Sequence, residues 1–230
     1  MEKDLKEQTA GLSQGRLAVI IILSVLLIDQ IIKIIVKTNM TIGEEIFITQ
    51  WFRILFVENS GMAFGMELIG KLFLSLFRIV VISLFGWYLV KILNKGFPTG
   101  YVVTVAFILA GAAGNLFDSM FYGLIFTEST PFQVAELTGF GTGYAPFLYG
   151  KVVDMFYFPL WRWPDWMPLV GGGIFFSPVF NFADSCITCG MLVLIIFYNK
   201  VVNMGLVYRD SDEDEQSHCQ DSGKNNEKEN

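Results

Sequence analysis

The chain has 230 residues, 53% hydrophobic and 15% aromatic, with a mean hydropathy of +0.51, above the roughly 45 to 50% apolar content of an ordinary soluble domain. That balance excludes a plain soluble fold and predicts an integral membrane protein. The formal net charge is -6, but much of the acid sits in the tail RDSDEDEQSHCQDSGKNNEKEN, which is too poor in apolar residues to build a core. No basic face with interleaved aromatics occurs, which excludes nucleic acid as a partner.

The three cysteines do not form a secreted-type disulfide framework. Cys186 and Cys189 read as small apolar thiols packed in a helix rather than as a redox pair.

In chain order, residues 1–15 form a cytoplasmic tail and 16–205 a four-helix membrane domain; 206–230 is an acidic, disordered cytoplasmic tail. The first span, RLAVIIILSVLLIDQIIKIIVK (16–37), has the roughly 20 residues a membrane helix needs. It is too long for a signal-peptide core and lacks a small-residue cleavage site, so it reads as an anchor. Further spans fall at about 71–93, 99–117 and 184–202. Lys3, Lys6, Arg16, Lys91, Lys95, Lys200 and Arg209 place both termini in the cytoplasm by the positive-inside rule; Lys33, Lys37, Arg53, Lys71, Lys151 and Arg162 count against it.

On this topology the connections 38–70 and 118–183 are extracytoplasmic. In the first, Ile46 and Ile48, then Phe52, Ile54 and Phe56, alternate with a strand's period of two and predict a small sheet on the bilayer. The second contains FYFPLWRWPDWMPLVGGGIFF, aromatic and broken by prolines, which suits an interfacial loop or helix. The fold class is therefore an all-α membrane protein of four transmembrane helices carrying a small extracytoplasmic β-sheet and that interfacial segment.

Polar residues at membrane depth carry the functional signal, because each costs about 2.5 to 3.5 kcal/mol on insertion scales for a central Asp. Asp29 and Lys33, four apart, share a helix face as an ion pair, structural or functional. Arg78 reads as a snorkelling cation, with a ligand's anionic group as the alternative. Asn115 and Asp118 follow GAAG on one face, either a tight crossing with a polar exit or a site. Asp154 lies among apolar residues, and Asp184, read alone, is the N-cap of the fourth helix.

The ordered blocks DQIIK (29–33), ENSGMAFG (58–65), GAAGNLFD (111–118), VVDMF (152–156) and FNFAD (180–184) together resemble the lipoprotein, or type II, signal peptidase family, membrane aspartic peptidases of bacteria. The resemblance covers about residues 15–205. It implies a catalytic pair at Asp154 and Asp184, with support from Asn59, Gly61, Ala63, Asn115, Asp118, Asn181, Ala183, Asp29 and Lys33. It implies an endopeptidase of the bacterial inner membrane with its site near the outer leaflet, cutting diacylglyceryl-modified prolipoproteins before the lipidated cysteine. The implied partners are those substrates, membrane lipids and cyclic peptide inhibitors of the globomycin type; the protein is expected to be a monomer without cofactor or metal. Two departures stand out. The family's usual Arg after the GNxxD aspartate is Ser119 here, with Arg78 or Arg162 as candidate substitutes, and the stretch 121–150 is an insertion that can serve as a lid.

The competing reading is a small proton- or ion-coupled transporter, which expects carboxylates near mid-span and duplicated halves. A presenilin-type site needs GxGD, which does not occur. A metal-dependent or serine-type peptidase needs a histidine, and the only one is His218 in the tail.

Overall fold

The computed structural model describes residues 13–61, 67–169 and 171–199. The tail expectations for 206–230 and for residues before Ser13, and the motif position Ala63, lie outside them.

Helix α1 spans Gln14–Asn39 and starts where Ser13 Oγ accepts the Arg16 N–H at 3.4 Å, a side-chain cap on a free donor of the first turn. Its buried positions Ala18, Val25, Asp29, Lys33 and Val36 recur at steps of three, four and seven, which is one helical stripe. Leu23, Leu27, Ile31 and Ile35 on the other faces are exposed. Charge inside and hydrocarbon outside is the inverse of a soluble helix and the pattern a bilayer selects.

Strands β1 (Glu45–Thr49) and β2 (Phe52–Asn59) fold where the period-two pattern predicted a sheet. Helices α2 (Glu67–Asn94) and α3 (Thr99–Phe117) follow. The third span was expected to stop at 117, but a π-helical turn, Asp118–Tyr122, and the short helix α4, Gly123–Ile125, prolong it. Asp118 does not end the helix because its carboxylate is paired inside the protein. Among the described residues three helical runs, Gln14–Asn39, Gly70–Asn94 and Thr99–Ile125, are long and apolar enough to cross a membrane.

Strand β3 (Val152–Tyr157) was not anticipated as a strand. It joins an antiparallel sheet of order β1-β2-β3-β6, where β6 is Val179–Phe180. Between them β4 (Trp161–Arg162) and β5 (Ile174–Phe175) make a separate hairpin, with Trp161 stacked on Phe175 at 3.9 Å. The aromatic interfacial segment therefore contains a hairpin.

Val36 of α1 and Met40 just past its end pack with Phe56, Tyr122, Phe126, Val153 and Met155 in a core that joins the sheet to the helices. Successive strand side chains point to opposite faces. With Val153 and Met155 in that core, Asp154 faces the other way, and the β2–β3 register sets it opposite Val57.

Helix α5 spans Phe182–Phe197, an apolar helix of 16 residues. It begins two residues before the expected 184–202 span, and 200–202 lie outside the described residues. Met1–Gly190 forms one compact unit and Met191–Asn230 a second. In the second unit Leu192, Ile195 and Ile196 are exposed, and the Tyr198 N–H donates to the Leu194 carbonyl at 3.0 Å.

Candidate active site

Two linked polar clusters lie where α1, α3, β3 and the start of α5 meet. In the inner one, Lys33 Nζ sits 2.8 Å from both Asp29 Oδ2 and Asp118 Oδ2 and donates to Asn115 Oδ1 at 2.9 Å. Lys33, Asp29 and Asp118 are fully buried, so each charge depends on the others: a buried ion lacking a partner costs several kcal/mol. Gln30, whose role the sequence does not disclose, donates to Asp118 Oδ1 at 2.9 Å and accepts from Tyr122 Oη at 3.0 Å.

Asp29 also reaches α5, where its Oδ1 accepts the Ala183 backbone N–H at 3.0 Å. A carboxylate on a free N–H of the first helical turn suits the positive end of the helix. That approach needs Gly114, since a Cβ there would lie 2.6 Å from Asp29 Oδ2. Ala183 thus contributes through its backbone.

The outer cluster centres on Asn181. It is the N-cap of α5, a role the sequence suggested for Asp184. Asn181 Oδ1 accepts the Asp184 N–H at 2.9 Å, and Asp184 Oδ2 accepts the Asn181 N–H at 3.3 Å. This reciprocal pair is a capping box, with Asp184 at the third helical position. The correction follows from the helix starting at Phe182.

The Asn181 amide also donates to Asp154 Oδ1 at 2.7 Å and to Asn115 Oδ1 at 3.0 Å, while Asn115 donates to Asp184 Oδ1 at 2.6 Å. One side chain therefore contacts both aspartates, and Lys33 orients the second amide. Asp154 is 4% exposed, and its carboxyl is pushed up to about 6, first by burial and then by the negative charge of Asp184, against the hydrogen bonds of Asn181 and Asn59.

Asn59 belongs to a tight turn at the end of β2, where its Oδ1 accepts the Gly61 N–H at 2.7 Å and Gly61 adopts φ +67°. An Asn side chain that bonds its own backbone two residues on, followed by a residue free to take positive φ, explains the N-x-G spacing. A second buried pair, Lys37 with Glu58, is joined by Ser129, which accepts from Lys37 at 2.9 Å and donates to Glu58 at 2.8 Å. This pair ties α1 and β2 to the 121–150 insertion and was not foreseen, because its three members are far apart in sequence.

Arg78 does not snorkel outward. Its Nη1 donates to Ser119 Oγ at 2.9 Å, and it lines an open cleft of about 220 Å³ with Phe77, Val81, Ala112, Asn115 and Asp184. Arg162 instead donates Nε to the Gly172 carbonyl at 3.0 Å within the β4–β5 segment. Of the two candidates for the cation missing at Ser119, Arg78 is the one that reaches it. Cys186 and Cys189 are free thiols.

The comparisons with known proteins identify the family. The family model described as signal peptidase (SPase) II matches residues 21–200. The lipoprotein signal peptidase of Porphyromonas gingivalis (strain ATCC 33277) is 47% identical over 198 residues, covering 84% of this chain and 87% of its own. That of Amoebophilus asiaticus (strain 5a2) is 36% identical, covering 76% and 75%. A solved structure described as a bacterial membrane enzyme superposes with a TM-score of 0.54 at 25% identity, over 80% of this chain and 92% of that one. The chain is a multi-pass membrane peptidase and belongs to the signal peptidase II family, Peptidase_A8.

Proposed function

We propose that the chain is an aspartic endopeptidase that removes signal peptides from diacylglyceryl-modified prolipoproteins, with Asp154 and Asp184 as its catalytic pair. The observation that carries this is Asn181, which donates its amide to Asp154 and exchanges two hydrogen bonds with Asp184. Two carboxylates held on one residue cannot both ionise cheaply, so the pair retains one proton, as the paired carboxylates of aspartic proteases do in general. Asp154, the buried member with the raised pKa, holds that proton and polarises the scissile carbonyl. Asp184, whose oxygens accept N–H groups from Asn115 and Asn181, takes a proton from the attacking water. The water oxygen bonds to the carbonyl carbon, the C–N bond breaks, and the leaving nitrogen recovers a proton from the pair.

The cleft beside Asp184 is walled by apolar side chains from α2, α3 and α5, which suits acyl chains delivered from lipid. On this reading the site lies at the outer leaflet of the bacterial inner membrane, with both termini cytoplasmic, in a monomer that needs no cofactor. Globomycin-type cyclic peptides would compete for the same cleft. Membership of a peptidase family sets the transporter alternative aside.

The test is mass spectrometry of a synthetic peptide carrying a diacylglyceryl cysteine after incubation with the purified protein. A single cut on the N-terminal side of the modified cysteine is expected; an intact peptide contradicts the reading.

A further inference from the structure

Arg78 presents an arrangement that the dyad mechanism does not use. Its guanidinium has five N–H donors in a planar fork, and Nη1 is committed to Ser119 Oγ. Ser119 gives its own proton to the Asn115 carbonyl at 3.1 Å, so its lone pair is free to accept from Arg78. Among the described residues no carboxylate is close enough to form an ion pair with this guanidinium, although the charges of Asp184, Asp118 and Asp154 all act on it. A cation held inward on a membrane helix, between exposed Phe77 and Val80, is costly unless acceptors complete it. The remaining donors share a cleft with the apolar Phe77, Val81 and Ile187 and with Asp184.

Building on the proposed peptidase function, we infer that Arg78 is a substrate-binding residue whose fork receives the ester carbonyl oxygens of the diacylglyceryl group. The apolar walls take the acyl chains and exclude water, which strengthens each hydrogen bond to the guanidinium. Ser119 is a positioning residue that fixes the fork and, through the Asn115 backbone, ties it to the helix that also orients Asp184. Arg78 thus adds a requirement for acyl ester at the modified cysteine, distinct from the hydrolytic step.

The experiment compares two peptide substrates, one with a diacylglyceryl cysteine and one with its dialkyl ether analogue, which keeps the chains but lacks the carbonyls. Wild type is expected to show a KM for the ether at least about 10-fold higher than for the ester, the scale of losing hydrogen bonds to a charged group. Arg78→Met is expected to raise KM for the ester to the ether's level and to erase the preference between substrates, any change in kcat from removing a charge beside Asp184 being common to both substrates. Arg78→Lys keeps the charge but not the fork and is expected to fall between them; it serves as the readout if the Met variant does not fold. Equal KM for the two substrates in wild type, or an unchanged ester KM in the variants, overturns the inference while leaving cleavage by the dyad intact. Failure of wild type to cleave either substrate overturns the peptidase reading, and this inference with it.

Discussion

Asn181 and Asp184 cap one another: the Asp184 N–H donates to Asn181 Oδ1 at 2.9 Å and the Asn181 N–H donates to Asp184 Oδ2 at 3.3 Å. The same motif that starts α5 therefore aims one proposed catalytic carboxylate, and the Asn181 amide left over holds the other at 2.7 Å.

The two jobs of Asn181 separate by substitution. Asn181→Ala loses both cap and bridge, and is expected to lower stability by about 1 kcal/mol and cleavage by about 100-fold. Asn181→Ser keeps a capping oxygen but cannot span to Asp154. Thermal unfolding should recover in the Ser variant while its cleavage rate stays low; equal recovery of both would show that the amide bridge is dispensable.

Lys33 serves two carboxylates and one amide in a fully buried setting. Lys33→Met should cost about 3 to 5 kcal/mol, because it strands Asp29 and Asp118. Adding Asp29→Asn and Asp118→Asn removes the stranded charges, and unfolding measurements should show the triple variant more stable than Lys33→Met alone.

Gly114 leaves room for the Asp29 carboxylate, and Gly114→Ala places a methyl 2.6 Å from Asp29 Oδ2. The overpacking should cost about 1 to 3 kcal/mol and loosen the bond from Asp29 to the Ala183 N–H. Faster hydrogen exchange at Ala183 would register that loss directly.

The raised pKa of Asp154 gives stability a definite pH dependence. Its carboxyl titrates near 6 in the folded protein against an ordinary value of 3.8, so the folded state binds this proton more tightly than the unfolded state does. The associated stability is present below the ordinary carboxylate range and is lost as pH rises through about 6, amounting to about 3 kcal/mol across the window. Asp154→Asn should flatten that slope in unfolding measurements. In activity, proton loss from the pair should lower kcat/KM as pH rises past about 6.

The sequence motifs identified most of the polar residues that converge in the fold, because carboxylates and amides inside apolar runs are costly enough to be conspicuous. Asp29, Lys33, Asn115, Asp118, Asn181 and Asp184 were all visible for that reason, and the N-x-G turn followed from local backbone chemistry. What stayed hidden was non-local. Asp154 was visible on the same ground, but the strand that carries it was not: its partners, β2 and β6, are distant or very short, and burial of both faces over Val152–Met155 leaves no period-two signal. Gln30 looked like an ordinary neighbour of Asp29 until Tyr122 and Asp118 closed around it. The third helix ran past its expected end because a buried Asp118, paired with Lys33, is no stop signal. Arg78 turned inward for an acceptor, Ser119, that no spacing rule connects to it.

The central claim is that Asp154 and Asp184 act as one catalytic unit. The most direct measurement is the cleavage rate of a diacylglyceryl-cysteine peptide by wild type, Asp154→Asn and Asp184→Asn, each purified and checked for unchanged thermal unfolding at pH 5. Each single variant should lose at least about 1,000-fold in kcat, and the double variant little more than either alone, as expected of residues that work together. Cleavage within about 10-fold of wild type by either single variant would contradict the account.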